Sequence, residues 1–236
     1  MARSARVVAP GLPHHITQRG NSGQRVFFDD EDRMRYVSLI TDYCVRHSLS
    51  ILSFCLMHNH VHFIAVPENP FTLARVFSCA HMRYSQYLNR KRGKSGHLWW
   101  ARFYSCILDE RHLIQAARYI ERNPVRALMV KAPWDWRWSS ALEHIGESKS
   151  DFDSMNLLSL IGMTPPQWKR YVDSPEKDDF LQDIRKKTLT GRPLVSSDIL
   201  SHLEIKFDRT LSESIVGRPK GSKKAGLKGK KISGNK

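Results

Sequence analysis

The sequence predicts an α+β fold: a ferredoxin-like antiparallel sheet with two helices on one face and an extra C-terminal helix on the other. Three observations support this class. The residue patterns follow the order strand, helix, strand, strand, helix, strand (βαββαβ). The two middle strands are joined by the short connection Met57-His58-Asn59, which is typical of a hairpin. A further helical pattern follows the last strand.

Local signals mark the ends of these elements. Asp29, Asp30, Glu31 and Asp32 open the first helix, because acids are favoured at the positive end of the helix dipole. Asp109 caps the third helix, and Pro124 is expected to end it. The predicted strands cover residues 14–18, 51–56, 60–66 and 99–108, and the second and third helices cover residues 72–89 and 110–123.

The charge of the chain predicts a polyanionic partner. Its net charge is +15 and its isoelectric point is about 9.9. Residues 217–236 contribute eight Lys or Arg and no acid. The tail is not accompanied by an amphipathic helix or a lipidation motif, so nucleic acid is favoured over a membrane surface. A merely solvated basic surface is the alternative.

We divide the chain into three parts. Residues 1–146 form the predicted catalytic domain, residues 147–212 a small helical accessory region, and residues 213–236 a disordered basic tail. Within the tail, Gly-Arg-Pro with flanking basic residues resembles an AT-hook, in which Arg218 and Lys220 would contact A·T-rich duplex. The alternative is a solvated tail that binds DNA through counterion release.

Cysteine usage and the N-terminus indicate the compartment. The four cysteines (Cys44, Cys55, Cys79 and Cys106) are scattered without a C-x-x-C pair, so neither a disulfide framework nor a zinc ribbon is expected. Residues 1–10 lack the apolar stretch of a signal peptide, and no segment has the length of a membrane span. We therefore expect a cytoplasmic protein.

The segment His60-Val61-His62 is the first candidate site. Side chains alternate along a strand, so both histidines face the same side of the sheet. Two adjacent imidazoles can hold a divalent cation or a phosphate. The alternative is a pair of imidazoles hydrogen-bonded within the sheet.

The third helix carries the second candidate group. His112, Gln115, Tyr119 and Asn123 are spaced to share one helix face. Tyr119 is a candidate nucleophile for a phosphodiester, and Asn123 could add an oxygen ligand beside the imidazoles. Mixed His and Asn ligation suits Mg²⁺ or Mn²⁺. His112 and Gln115 are expected to be ordinary helix residues.

Five stretches carry a resemblance to a known family. They are PGLPHHITQRGN at residues 10–21, CLMHNHVH at 55–62, GHLW at 96–99, RYIERNPVRA at 118–127 and WSS at 138–140. In this order they resemble the single-tyrosine HUH transposases, and more closely the REP-associated tyrosine transposases (RAYTs) and their insertion-sequence relatives. The sequence departs from the family pattern at His58, Trp100 and Leu128, where relatives often carry proline, glutamine and glycine.

The resemblance implies a function. His60 and His62 would be the HUH metal ligands, Asn123 would complete the metal site, and Tyr119 would form a covalent 5′-phosphotyrosine. The implied partner is single-stranded or hairpin DNA, which would associate the protein with the bacterial nucleoid. Candidate residues for guiding the strand are Arg19, Arg83, Arg90, Lys91, Arg92 and Lys94.

Several alternatives stay open at this stage. A domesticated protein that binds hairpins without cutting them is the second hypothesis. A metal-dependent hydrolase of small substrates is the third, although no general-base carboxylate accompanies the histidines in the sequence. The protein could act as a monomer or as a homodimer, with the tyrosine serving the histidines of its own chain or of the partner chain.

Overall fold

A four-stranded antiparallel sheet forms the centre of the computed structural model, which describes residues 6–149, 152, 156–175 and 178–212. The strands lie in the order β2-β3-β1-β4, which is the order of a ferredoxin-like sheet. Both neighbours of β1 pair with it in antiparallel register, as in Thr17 opposite His62 and Thr17 opposite Tyr104. The predicted fold class is confirmed.

The helices and strands lie close to their predicted positions. The strands are β1 (His14–Arg19), β2 (Leu49–Leu56), β3 (His60–Pro67) and β4 (Tyr104–Ile107). The helices of the first 149 residues are α1 (Asp30–His47), α2 (Thr72–Lys91), α3 (Glu110–Glu121), α4 (Asn123–Arg126) and α5 (Ala141–His144). They are followed by α6 (Leu157–Ile161), α7 (Pro165–Asp173), α8 (Asp178–Thr190) and α9 (Ser197–Phe207).

Each face of the sheet is covered by its own hydrophobic core. Helices α1 and α2 pack on one face around buried aromatic side chains that include Tyr36, Phe63 and Phe77. Helix α3 packs against β2 and β3 on the opposite face, where Ile64 and Ile120 are buried. The extra helix therefore covers the open face, as the sequence predicts.

Two element boundaries differ from the prediction. Strand β4 begins at Tyr104 rather than near residue 99, because Trp99 turns into the core and its indole N–H donates to the His81 carbonyl at 3.2 Å. Helix α3 ends at Glu121 rather than at Asn123. Pro124 then occupies the first turn of α4, where its missing N–H costs no helical hydrogen bond.

The end of α3 is anchored by one buried carboxylate. Glu121 is fully buried and accepts hydrogen bonds from Ser140 Oγ, His144 Nδ1 and Trp168 Nε1. These donors lie at the start of α5, at its end and in α7. A buried carboxylate is tolerated because its oxygens are satisfied in this way, and the arrangement fixes the helix that carries Tyr119.

The helices after residue 156 pack against the same core. Trp168 and Ile184 are fully buried in the cluster that also contains Tyr119. Helix α8 contacts β4 and β1 at one edge of the sheet. The boundaries at residues 146 and 212 stay a prediction. The predicted tail, 213–236, lies outside the described residues.

Candidate active site

The two histidines of β3 lie on the sheet face that α3 covers. Val61 and Phe63, the residues between and after them, point into the opposite core. The His60 and His62 ring centroids are 5.0 Å apart and their planes are nearly perpendicular, at 83°. The strand alternation predicted from the sequence is thus observed, and it brings two imidazoles together at one point.

The tautomer of His60 is set by its neighbour Asn59. The Nδ1–H of His60 donates to Asn59 Oδ1 at 2.7 Å, and Asn59 Nδ2 donates to the Gly23 carbonyl at 3.2 Å. This second bond fixes which end of the Asn59 amide is the oxygen. The Nε2 atom of His60 therefore carries a lone pair.

His62 is held by a residue that the sequence analysis did not identify. Its Nδ1 lies 2.9 Å from Nε2 of His15, and the two rings stack with centroids 5.1 Å apart. The other ring nitrogen of His15 lies 2.7 Å from Thr188 Oγ1. The sequence could have predicted His15, because alternate residues of a strand face the same side of the sheet. His15 therefore faces the same side as Thr17, which pairs with His62. No local pattern pointed to Thr188.

Tyr119 reaches the rings of His62 and His15 from α3 of the same chain. Its ring centroid lies 5.7 Å from that of His62 and 5.9 Å from that of His15, edge-on in both cases. Its hydroxyl makes no hydrogen bond within the described part of the chain. The phenol and the two imidazoles therefore meet within one polypeptide.

Asn123 lies beyond the end of α3, where Arg126 holds it. Its Oδ1 accepts a hydrogen bond from Arg126 Nη2 at 2.7 Å, and its Nδ2 is buried without a partner among the described residues. The Arg126 guanidinium also lies 4.3 Å from the Tyr119 ring centroid. The amide oxygen that the sequence analysis assigned to a metal is thus bonded to a guanidinium.

The other two residues of the predicted helix face do not join the site. His112 donates through Nδ1 to Asp109, the residue that caps α3, at 2.6 Å. Gln115 lines a separate cavity beside Tyr171. Both are ordinary helix residues, as expected.

Burial keeps the imidazoles of the site neutral. It lowers the pKa of His60 to about 4, with smaller lowering contributions from the charges of Arg19 and Arg126. Burial likewise lowers the pKa of His15 to about 3, and that of His62 well below its ordinary value. Neutral imidazole is the form that binds a metal ion.

A cavity of about 870 Å³ opens over the histidines and Tyr119. Its basic side chains are Arg19, Arg102 and Arg185, and no carboxylate lines it within the described residues. Of these three, the sequence analysis had identified Arg19. The exposed indole of Trp100 forms part of the wall. Such a basic, partly apolar cavity suits a strand with phosphates and unpaired bases.

The remaining candidate DNA contacts lie elsewhere. Arg83, Arg90 and Lys91 line a cavity of about 530 Å³ beside α1 and α2, on the opposite side of the sheet. Lys91 is bound to the carboxylates of Asp29, Glu31 and Asp32, each at 2.9 Å. The structure does not bring this group to the histidines.

Two of the remaining candidate DNA contacts lie on the protein surface, and two lie outside the described residues. The Arg92 guanidinium lies 3.5 Å from the centroid of the Phe28 ring, and Lys94 is exposed. Arg218 and Lys220 lie outside the described residues. Their roles stay predictions.

Whether the residues present fit a divalent cation depends on which ring nitrogens of His60 and His62 lack a partner. Both Nδ1 atoms of the pair have partners, and neither Nε2 is hydrogen-bonded within the described residues. These two Nε2 atoms fit a divalent cation. Asn123 is not among the residues that line the cavity, and its Oδ1 accepts a hydrogen bond from Arg126. Among the described residues, no group of three His, Cys, Asp or Glu side chains is arranged to hold a metal ion.

Comparison with known proteins shows a similarity to a family of transposases. Residues 11–123 match the family model described as "Transposase IS200 like". The matched segment, which is just under half of the chain, includes the histidine pair, Tyr119 and Asn123.

The chain is also similar to one curated protein and to one solved structure. The chain is 24% identical over 140 residues to the "Putative REP-associated tyrosine transposase" of Haemophilus influenzae, covering 50% of this chain and 80% of that protein. It also resembles the solved structure of a REP-associated tyrosine transposase bound to a REP hairpin. That match has a TM-score of 0.50 and 18% identity, and covers 66% of this chain and 93% of that one. At this identity the second likeness supports the fold alone.

Within the described residues, no helix is both long enough and apolar enough to cross a membrane.

Proposed function

We propose that this protein is a DNA strand transferase that cuts and rejoins single-stranded or hairpin DNA through a covalent 5′-phosphotyrosine at Tyr119. The single observation that carries the proposal is the approach of Tyr119 to His62, with 5.7 Å between ring centroids, in a cavity lined by arginines. A lone tyrosine on a helix is ordinary packing, whereas a phenol beside two neutral imidazoles is suited to phosphate chemistry.

The reaction begins with the Tyr119 oxygen attacking a backbone phosphorus of the DNA. A phosphotyrosine bond forms as the phenol loses its proton to solvent, the bond from phosphorus to the 3′ oxygen breaks, and that oxygen takes up a proton, so the leaving strand ends in a free 3′-hydroxyl. One phosphoester bond is exchanged for another, so its energy is retained in the phosphotyrosine. A 3′-hydroxyl can therefore attack the phosphotyrosine and rejoin the strand without an external energy source. Arg19, Arg102 and Arg185 are positioned to bind the phosphates on either side.

The proposed cofactor is Mg²⁺ or Mn²⁺, held by Nε2 of His60 and of His62, with Asn123 as a further oxygen ligand. When bound, such a cation polarises the phosphate and offsets the negative charge of the transition state. The burial that keeps both imidazoles neutral supports this assignment.

A labelled hairpin tests the proposal directly. The wild-type protein, Mn²⁺ and DNA labelled at the 3′ end should give an adduct that survives denaturation, because the 5′-phosphotyrosine stays on the downstream fragment. DNA labelled at the 5′ end should instead give a free shorter fragment. Tyr119→Phe should abolish the adduct, and adduct persisting in this variant would refute the role of the tyrosine.

Tyr104→Phe is the matched control. Tyr104 lines the same cavity from β4, so this variant also removes one phenolic hydroxyl there. It should retain the adduct. Loss of adduct in both variants would indicate that the cavity, rather than Tyr119, had been damaged.

A hairpin-binding protein that no longer cuts remains the second candidate function. The solved REP-associated tyrosine transposase that the chain resembles is bound to a REP hairpin, which favours hairpin DNA as the partner. Tight hairpin binding by the wild type, with neither adduct nor Mn²⁺ binding, would support this candidate. Cleavage that leaves a free 5′-phosphate would instead support a hydrolase.

A further inference from the structure

A chain of buried polar side chains runs from His62 to the C-terminal helix α8. His62 Nδ1 lies 2.9 Å from His15 Nε2, and His15 Nδ1 lies 2.7 Å from Thr188 Oγ1. Thr188 Oγ1 in turn lies 3.3 Å from Cys106 Sγ. Each of these four side chains is buried, so none can exchange its partner for bulk water.

The direction of the hydrogens along this chain decides which nitrogen of His62 carries the lone pair. The tautomer of His60 is fixed, because the Asn59 oxygen can only accept. The tautomer of His62 is not fixed in this way, since its partner is another imidazole, which can donate or accept. The group that fixes the tautomer of His62 must therefore lie further along this series of hydrogen-bonded side chains, beyond His15.

We propose that His15 and Thr188 are positioning residues that hold His62 as the Nδ1–H tautomer. Thr188 Oγ1 accepts from His15 Nδ1–H and donates its own hydrogen to Cys106 Sγ. His15 Nε2 then has only a lone pair and accepts from His62 Nδ1–H. The inference rests on the proposed function, in which Nε2 of both His60 and His62 must be free to bind a cation.

The opposite direction would remove one of the two ligands. If Cys106 donated to Thr188, and Thr188 to His15, then His15 Nε2–H would donate to His62 Nδ1. The hydrogen of His62 would then lie on Nε2. Partners of this kind orient metal-binding imidazoles in many proteins, and their loss typically weakens metal binding about 10- to 100-fold.

Thr188 also gives the C-terminal helices a role at the site. It lies outside the segment that matches the transposase family, residues 11–123. Arg185 and Leu189, on the same helix, line the cavity beside it. Helix α8 therefore contributes both to the cavity wall and to the support of His62.

The first measurement needs neither metal nor DNA. Long-range ¹H–¹⁵N NMR spectra of the full-length protein distinguish the two imidazole tautomers of His62. The wild type should show Nδ1–H. Thr188→Val keeps the side-chain shape but cannot accept a hydrogen bond, so His62 should shift towards Nε2–H. Thr188→Ser keeps the hydroxyl and should restore the wild-type tautomer.

The second measurement is the affinity for Mn²⁺ alone, from the EPR signal of the free ion. We expect Thr188→Val and His15→Phe to weaken binding about 10- to 100-fold, and Thr188→Ser to bind as the wild type does. Thr190→Val is the matched control, because Thr190 is exposed and its hydroxyl bonds, among the described residues, to backbone oxygens of its own helix. It should change neither the tautomer nor the affinity.

Two results would overturn the inference: a wild-type His62 with its hydrogen on Nε2, or a Thr188→Val protein with wild-type tautomer and wild-type Mn²⁺ affinity. Circular dichroism and thermal unfolding of each variant separate these results from misfolding. Failure of the wild type to form a DNA adduct would instead overturn the proposed cleavage, and it would leave the NMR result unchanged.

Discussion

The guanidinium of Arg126 lies over the ring of Tyr119, with 4.3 Å between the guanidinium carbon and the ring centroid. The same side chain donates to the Tyr119 carbonyl at 2.6 Å and to Asn123 Oδ1 at 2.7 Å. Its charge also contributes to the lowered pKa of His60 and of His62, after burial. One arginine therefore connects the proposed nucleophile, the predicted oxygen ligand and the histidine pair.

We predict that Arg126→Met changes cleavage and metal binding in opposite directions. The rate of adduct formation should fall about tenfold, because the Tyr119 ring loses the group that orients it. The affinity for Mn²⁺ should rise about threefold, because a nearby positive charge is removed and the Asn123 oxygen is released. Single-turnover kinetics and Mn²⁺ titration measure the two effects.

Arg118→Met is the control for this prediction. The Arg118 guanidinium also lies 4.3 Å from a tyrosine ring, but that ring belongs to Tyr171, which does not line the cavity. Both measurements should stay at wild-type values. If Arg126→Met weakens cleavage and Mn²⁺ binding together, the arginine supports the whole site rather than opposing the cation.

The protein should lose stability on acidification, and this loss should begin at a pH well above the range in which carboxylates titrate. Burial lowers the pKa of His14 and His60 to about 4, and that of His15 and His81 to about 3. In the unfolded chain a histidine titrates near ~6.5. Below that pH the unfolded chain binds protons that the folded chain does not, so the free energy of unfolding falls as the pH falls.

The expected size of this effect is up to ~1.4 kcal/mol per histidine for each pH unit below about 6.5. His144 acts in the opposite direction, because the Glu121 carboxylate outweighs burial and raises its pKa. Its contribution is present at low pH and is lost as the pH rises through that raised pKa. Urea midpoints measured from pH 8 to pH 5 should fall steeply below 6.5, and His81→Gln should reduce the slope. A flat profile would contradict the burial of neutral imidazoles.

Arg19 and Lys91 should contribute unequally to DNA binding, although both are candidate contacts. Arg19 lines the cavity over the histidines, whereas Lys91 is bound to three carboxylates. Arg19→Met should lower the slope of log affinity against log salt concentration for a hairpin by about one. Lys91→Met should leave that slope unchanged and lower the thermal midpoint. If the two variants gave equal salt-dependence slopes, the DNA strand would not bind in the cavity that Arg19 lines.

Leu128→Gly should stabilise the fold. Leu128 has a φ of 55°, in the left-handed region that costs a side-chain-bearing residue about 1–2 kcal/mol, and it is 92% exposed, so little packing is lost. We expect a gain of about 0.5–1 kcal/mol in urea unfolding. The adjacent Ala127, with a φ of −86°, supplies the control, since Ala127→Gly should destabilise the protein. A loss of stability in Leu128→Gly would show that the leucine is packed in solution.

The fold could be predicted because its signals are local. The order of strands and helices, the acidic start of α1, the cap at Asp109 and the alternation at His60 and His62 each depend on neighbouring residues. The start of β4 was misplaced because the apolar pattern near Trp99 reflects burial in the core rather than pairing in the sheet. The end of α3 was misplaced because a proline can begin a new helix as well as end one.

The supporting residues of the site could be predicted only in part. Side chains alternate along β1, so once β1 and β3 are known to pair, His15 can be predicted to face the same side of the sheet as His62. Thr188 is separated from His15 by 173 positions, and its role depends on how α8 packs against the sheet. The hydrogen bond between Asn123 and Arg126 follows from the break at Arg122, which the helical pattern did not reveal.

The phenol of Tyr119 and the imidazoles of β3 belong to one polypeptide, and Tyr119 is the tyrosine whose ring contacts His62 and His15 among the described residues. If the proposed chemistry holds, each molecule can retain one severed DNA end at a time. Excising a segment with two boundaries would then require two successive rounds at the same residue, or two molecules that each hold one boundary. The stoichiometry of trapped ends per molecule would distinguish these routes.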